Sequence, residues 1–156
     1  MIKVISFDLD GTLINQEFTD IFWNKAIPKL YSVKFNIPYE HAVKYILSEY
    51  DKVGADNINW YIPEYWIRKF KLDVSFEYIA NMVKNKLKVY PDVNEALRTL
   101  SRSFTLIISS SNTKDFLEYK LRPIRSYFKF VFSSIDDFKM AKKNKEFYKK
   151  LCLKLN

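Results

Sequence analysis

The chain opens on an apolar run, Ile2, Val4, Ile5 and Phe7, that stops at Asp8. A compact run of this kind predicts a buried central strand over residues 2–7, with the chain turning at Gly11. From about residue 17 to residue 102 the apolar positions shift to a spacing of three and four, the period of a helix with one buried face. Phe18, Ile21, Phe22, Ile27, Leu30 and Tyr31 follow it, and Pro28 is expected to kink that helix. Pro38 opens a second helix carried by Ala42, Val43, Tyr45, Ile46 and Tyr50. Gly54 and residues 56–59 read as a loop, and Pro63 starts a third helix through Trp66, Ile67 and Phe70. Two more helices are predicted over 75–87, with Ser75 as N-cap, and over 91–100.

Strand character returns at residues 104–108, a second compact apolar run that ends in Ser109, Ser110, Ser111 and Asn112. A helix over 114–121, a short strand over 130–132 and a final amphipathic helix over 144–155, with Phe147, Leu151 and Leu155 on one face, complete the pattern. Strands alternating with helices predict an α/β fold, a Rossmann-like open parallel sheet. The helical block of about 75 residues between the first two strands exceeds what a crossover needs, so it reads as an inserted helical cap. The expected division is a core of residues 1–14 and 90–156 and a cap of residues 15–89.

Composition narrows the function. Apolar residues make up 48% of the chain and charged residues 28%, values of a globular protein. No apolar run reaches the ~18 residues a membrane span requires, and the N-terminus is too short in apolar residues for a signal peptide. Cys152 and His41 are each the only residue of their kind, which excludes an internal disulfide, a cysteine zinc cage and a paired-histidine metal site. These features point to the cytoplasm. His41 is expected at or near the surface of the cap, Trp23, Trp60 and Trp66 in cap core before a substrate pocket, and Cys152 in packing.

The net charge of +8 comes from 26 Lys and Arg against 18 Asp and Glu. Arginine, the better reader of bases and phosphates, is scarce, and no nucleic-acid motif appears. The charge therefore reads as a lysine-rich surface with a mild attraction for anions, phosphorylated substrates among them. Only two glycines occur, where average usage gives about eleven. One of them, Gly11, lies inside Asp8-Leu9-Asp10-Gly11-Thr12.

Ligands of an open parallel sheet bind beyond the carboxyl ends of its strands. Asp8 and Asp10 follow the first strand, Ser109 ends the second, and Lys142 and Lys143 come after the third, so distant residues converge on one rim. Two neighbouring carboxylates raise each other's pKa unless a cation sits between them, and magnesium suits that place. One carboxylate can act as a nucleophile and a second as a general acid and base. A serine hydroxyl and a lysine ammonium then meet the charge on a transferring phosphoryl group.

Phe7-Asp8-Leu9-Asp10-Gly11-Thr12-Leu13 resembles the first signature of the haloacid dehalogenase (HAD) superfamily, most of whose members are phosphatases. Leu106-Ile107-Ile108-Ser109 fits the second, an apolar strand ending in Ser or Thr. Lys142-Lys143-Asn144-Lys145-Glu146-Phe147-Tyr148 resembles the third without its two prolines; it aligns Lys142 with the family lysine and keeps Lys143 as the alternative. The helical block matches the family's cap. The resemblance implies a magnesium-dependent phosphatase of small phosphorylated metabolites that works through an aspartyl-phosphate. Asp8 would be nucleophile and magnesium ligand, and Asp10 the general acid/base, touching the metal through its backbone carbonyl. Ser109, with the backbone amide of Ser110, and Lys142 would bind phosphate. Asp10 also argues against the dehalogenase branch, which has no oxyanion leaving group that needs an acid.

One departure stands beside these matches. The family's fourth signature, an acidic pair after a fourth strand that completes the magnesium site, has no counterpart before the chain stops at Leu155-Asn156, and Asp136 and Asp137 precede the lysine. The sheet is then expected to be incomplete at its C-terminal side. The alternative function is a non-catalytic or truncated domain of this family that binds a polyanion or a protein partner. A first strand without its fourth-strand neighbour becomes an exposed edge, so self-association through residues 2–7 is expected.

Overall fold

The computed structural model describes residues 2–155, and the chain divides into two compact units, Met1–Asn15 with Val89–Asn156, and Gln16–Lys88. The first unit is built on three parallel strands in the order β1-β2-β3. They are β1 (Val4–Phe7), β2 (Thr105–Ser110) and β3 (Phe130–Ser133). Val4 pairs with Thr105 and Phe7 with Ile108, while Ile107 pairs with Phe130 and Ser110 with Ser133. β2, bonded on both sides, buries every residue from Leu106 to Ser110. The two serines thus belong to the strand, which runs two residues beyond the expected end.

β1 differs from its expected burial. Among the described residues it pairs only with β2, its residues are half-buried or exposed, and Ile2 ahead of it is 73% exposed. An apolar run has the same appearance whether or not a second neighbour covers it, which is why the pattern read as a central strand.

Helices cover both faces of the sheet. Ile107 packs against Phe147 and Leu151 of α8 (Lys145–Leu155), together with Phe138. Leu106 and Ile108 point to the opposite face and are equally buried. α6 (Val93–Leu100) contributes Val93 and Leu97 to the interior, and α7 (Lys114–Leu121) contributes Phe116, Leu117 and Leu121. Each such side chain stabilises the fold by about 1.5–3 kcal/mol relative to exposure. Cys152 does not pack: it lies on the exposed side of α8.

The second unit is helical. It contains α1 (Glu17–Ile21), α2 (Ile27–Phe35), α3 (Tyr39–Val53), α4 (Pro63–Lys69) and α5 (Phe76–Met82). Pro28 leaves its mark on the preceding turn. Residues Phe22–Ala26 form a π-helical turn in which the Ile27 N–H reaches Phe22 O, widening the helix where the proline ring would press on the carbonyl four residues back. Trp66 is fully buried, stacked on Phe70 and set edge-on to Tyr50, whereas Trp60 remains partly exposed. Ser75 caps α5 as expected, its hydroxyl accepting from the Tyr78 N–H. That helix ends at Met82, and a 3-10 turn over Lys84–Lys86 takes the place of its predicted last turn. His41 is exposed.

Candidate active site

Just beyond β1 the chain folds into a tight turn. The N–H groups of Leu13 and Ile14 both bond to Leu9 O, and the Gly11 N–H bonds to Ile14 O at 2.7 Å. Gly11 sits at φ 75°, a backbone region an L side chain rarely enters, so glycine is required at this position. Leu9, Leu13 and Ile14 are buried, which anchors the turn and leaves Asp8 and Asp10 at the carboxyl end of the strand.

The two acids have different surroundings. Asp8, whose side chain is 47% exposed, takes the ammonium of Lys143 on Oδ1 at 2.7 Å. The same Nζ donates to the backbone carbonyl of Ser109 at 2.9 Å. Lys143 directly precedes Asn144, whose Oδ1 accepts from the Phe147 N–H and caps α8. The sequence pattern favoured Lys142 for this place; the ammonium found on Asp8 belongs to Lys143. The cap sets the phase of the helix start, and the two prolines that set it in the family pattern are absent here.

Asp10 is only 15% exposed and meets a lysine that the sequence reading did not single out. Lys120 Nζ, fully buried, donates to Oδ1 at 2.9 Å and to Oδ2 at 2.7 Å. Asn112 Nδ2 adds a bond to Oδ2 at 2.9 Å, and Asn112 Oδ1 accepts from Lys120 Nζ at 3.2 Å. A signal for Lys120 was present: it lies four residues after Phe116 and next to Leu121, on the buried stripe of α7. A lysine on such a stripe needs a counter-charge. Each carboxylate therefore has its own ammonium, and a metal between them is not needed to relieve their repulsion.

The two serines divide in the same way. The Ser109 hydroxyl lies 2.8 Å from that of Ser6 on the neighbouring strand. The Ser110 hydroxyl accepts from both the backbone N–H and the side-chain Nδ2 of Asn112, at 3.2 and 2.9 Å. Both its lone pairs are thereby filled, and its proton is left to donate. Successive strand residues point to opposite faces, so only one of the two serines can join the Asp10–Asn112 network.

Asp136 and Asp137 hold the scaffold. Asp136 Oδ2 accepts from the Lys114 N–H at the start of α7, where a negative charge favours the helix. Asp137 Oδ2 accepts from the Ser133 N–H, and Asp137 Oδ1 pairs with Lys114, whose pKa this hydrogen bond raises. Ser133 in turn donates to Asn112 O at 2.7 Å, tying the end of β3 to the loop that follows β2.

For a divalent cation the donor set is small. Among the described residues no three of His, Cys, Asp and Glu gather into a cluster. The second oxygen of Asp8 is the open carboxylate position, since both oxygens of Asp10 are engaged by Lys120. That set fits a hard ion held through one carboxylate, which keeps several waters and takes substrate oxygen as a further ligand.

Comparison with known proteins identifies the family and the fold. A curated relative, the GMP/IMP nucleotidase YrfG of Escherichia coli (strain K12), is 30% identical over 73 residues, 47% of this chain and 32% of the nucleotidase. The match thus spans about a third of that relative's length. A HAD phosphatase from Thermococcus onnurineus superposes with a TM-score of 0.73 at 28% identity, covering 87% of this chain and 63% of that one. A predicted phosphoglycolate phosphatase from Haemophilus somnus 129PT shares the fold, with a TM-score of 0.61, 22% identity and coverage of 99% and 72%. The family model of the haloacid dehalogenase-like hydrolases matches residues 2–156. The acid pair at the end of β1, the parallel sheet that carries it and this match over nearly the whole sequence have one meaning: the chain belongs to the haloacid dehalogenase-like hydrolases.

Proposed function

We propose that this hydrolase is a phosphomonoesterase in which Asp8 is the nucleophile and Asp10 the general acid and base. The observation that carries the reading is the Asp8–Lys143 pair at 2.7 Å, which sets a half-exposed carboxylate beside an ammonium at the end of a parallel strand. An Asp8 carboxylate oxygen attacks phosphorus and the bond to the ester oxygen breaks. Asp10, ion-paired with Lys120 at rest, first takes up a proton from solvent and then passes it to the departing oxygen, so an alcohol leaves rather than an alkoxide. Asp10, now ionised, takes a proton from water as the water oxygen attacks the aspartyl-phosphate. The bond from phosphorus to Asp8 breaks and inorganic phosphate is released. Lys143 and the Ser110 hydroxyl meet the charge on the phosphoryl oxygens. The role of phosphate-binding lysine is thus assigned to Lys143 in place of Lys142, and that of hydroxyl donor to Ser110 in place of Ser109.

Magnesium belongs to this reading through Asp8, with the backbone carbonyl of Asp10 as the second protein ligand that the family resemblance implies. When bound, it neutralises charge on the transferring group. The small phosphorylated substrate is most directly sought among purine nucleoside monophosphates, because the curated relative is a GMP/IMP nucleotidase. Polyanion binding is not favoured, since the family match and the phosphatase fold neighbours point to a hydrolase. The test is phosphate release from an aryl phosphate and from GMP in the presence of magnesium. Wild type is expected to turn over both, and Asp8→Asn neither; activity that survives Asp8→Asn removes the nucleophile assignment.

A further inference from the structure

The site contains a buried charge that the chemistry above leaves without a task. Lys120 is fully buried on α7, between Phe116 and Leu121 in sequence, with its ammonium 4.7 Å from the centre of the Phe116 ring. Desolvating an ammonium costs several kcal/mol, and a Leu or Met at this position would pack at no such cost. For packing alone, therefore, a lysine is a poor choice here. What the lysine adds is directional. It donates to both oxygens of Asp10 and to Asn112 Oδ1, which turns the Asn112 Nδ2 toward Asp10 Oδ2 and Ser110 Oγ. A carboxylate held at both oxygens by one donor and at one of them by a second keeps its plane fixed.

We propose that Lys120 is a positioning residue: it fixes the plane in which Asp10 offers its proton and thereby sets how well the enzyme expels poor leaving groups. This rests on the phosphomonoesterase reading. General acid assistance matters most when the departing oxygen is strongly basic, as in an alkyl phosphate, and least when the departing oxygen is already stable, as in dinitrophenyl phosphate. A misaligned Asp10 therefore penalises the first ester and spares the second. The comparison is made on kcat/KM, which reports the steps up to departure of the leaving group and is blind to later hydrolysis of the aspartyl-phosphate.

The experiment measures kcat/KM of the full chain in magnesium on glycerol phosphate and on dinitrophenyl phosphate, for wild type, Lys120→Met, Lys120→Arg and Asn112→Ala. Lys120→Met is expected to lose about 100-fold or more on the alkyl ester and less than about fivefold on the aryl ester. Lys120→Arg, which keeps the charge, recovers part of the alkyl loss. Asn112→Ala, which removes one bond to Asp10 and leaves the lysine in place, shows the same selectivity to a smaller degree. It carries the test if Lys120→Met does not fold by circular dichroism. Equal losses on the two esters in folded variants, or no loss on either, overturn the positioning role. A wild type that cleaves neither ester overturns the phosphomonoesterase reading, and the positioning role with it; the wild-type arm therefore separates the two failures.

Discussion

The hydroxyls of Ser6 and Ser109 lie 2.8 Å apart across the β1–β2 pair, so the serine that ends the apolar run of β2 bonds to its own sheet. Ser110, one residue on, has two hydrogen bonds from Asn112 and a proton to give. If phosphate is met by that proton, Ser110→Ala lowers kcat/KM by about tenfold or more, the cost of one charge-assisted hydrogen bond. Ser109→Ala is expected to stay within about threefold of wild type and to lower stability by about 1 kcal/mol. Steady-state kinetics on one aryl phosphate, with a urea titration of each variant, decides this. The opposite ranking would return the role to Ser109.

Lys143 reaches Asp8 across 135 residues of chain from the residue just ahead of the α8 cap. Removing its charge with Lys143→Met is expected to cut kcat about 100-fold, the usual scale for one electrostatic donor in such a site. Lys142→Met, one residue away, is expected to change kcat by less than about threefold. A larger loss at Lys142 than at Lys143 would show that the pair on Asp8 is not the catalytic arrangement.

These two choices show where the sequence was informative and where it stopped. Asp8, Asp10 and Gly11 are contiguous, and their chemistry can be read without knowing any long-range contact. The inserted helices and the parallel strands followed from periodicity, which is also local. Ser109 against Ser110 and Lys142 against Lys143 are one-residue choices. A one-residue shift in a strand moves a side chain to the other face, and at a helix start the cap decides the phase. Lys120 could be seen as a misplaced charge on an apolar stripe, but its partner lies 110 residues away, and no spacing rule connects them. The half-burial of β1 depends on its neighbours and not on its own residues.

The pairing of Asp10 with Lys120 makes the two acids unequal for stability. Asp10→Ala breaks the ion pair that the fully buried Lys120 ammonium makes at 2.7 Å, and breaking a buried pair from one side typically costs about 3–5 kcal/mol. At roughly 2–4 °C per kcal/mol, the melting temperature falls by roughly 6–20 °C. Asp8→Asn removes a partly exposed pair and is expected to change stability by no more than about 1 kcal/mol. Adding Lys120→Met to Asp10→Ala should restore part of the loss, because it removes the buried ammonium that had paired with Asp10. Thermal melts of the four proteins measure this, and an Asp10→Ala variant as stable as wild type would contradict the burial of Lys120.

In the helical unit, Glu49 of α3 is buried and pairs with Lys52 and, at 3.0 Å, with Lys69. The hydrogen bonds from Lys52 and Lys69 hold its carboxyl below the ordinary value of 4.5. A group whose pKa is depressed on folding adds stability above its unfolded pKa and loses it as the pH falls through the folded one. Glu49→Gln should therefore destabilise the protein at pH 7, and the difference from wild type should shrink once the pH drops below 4.5. Urea titrations at neutral and acidic pH test the sign; a difference that does not shrink in acid would mean Glu49 acts through packing.

The edge position of β1 leads to the last prediction. Among the described residues β1 has one partner, β2, so the backbone groups along its other side have no strand to bond to. An apolar edge of this kind is a template for another chain, and Lys3 is the only charged guard within residues 2–7. Preparations of these 156 residues are expected to associate through β1 as concentration rises. Ile2 is 73% exposed, so Ile2→Lys adds a second guard beside Lys3 at little cost to the fold. Light scattering after size exclusion, at several concentrations, should show wild type gaining mass and Ile2→Lys gaining less. A wild type that stays monomeric throughout would mean that the outer side of β1 is protected from pairing.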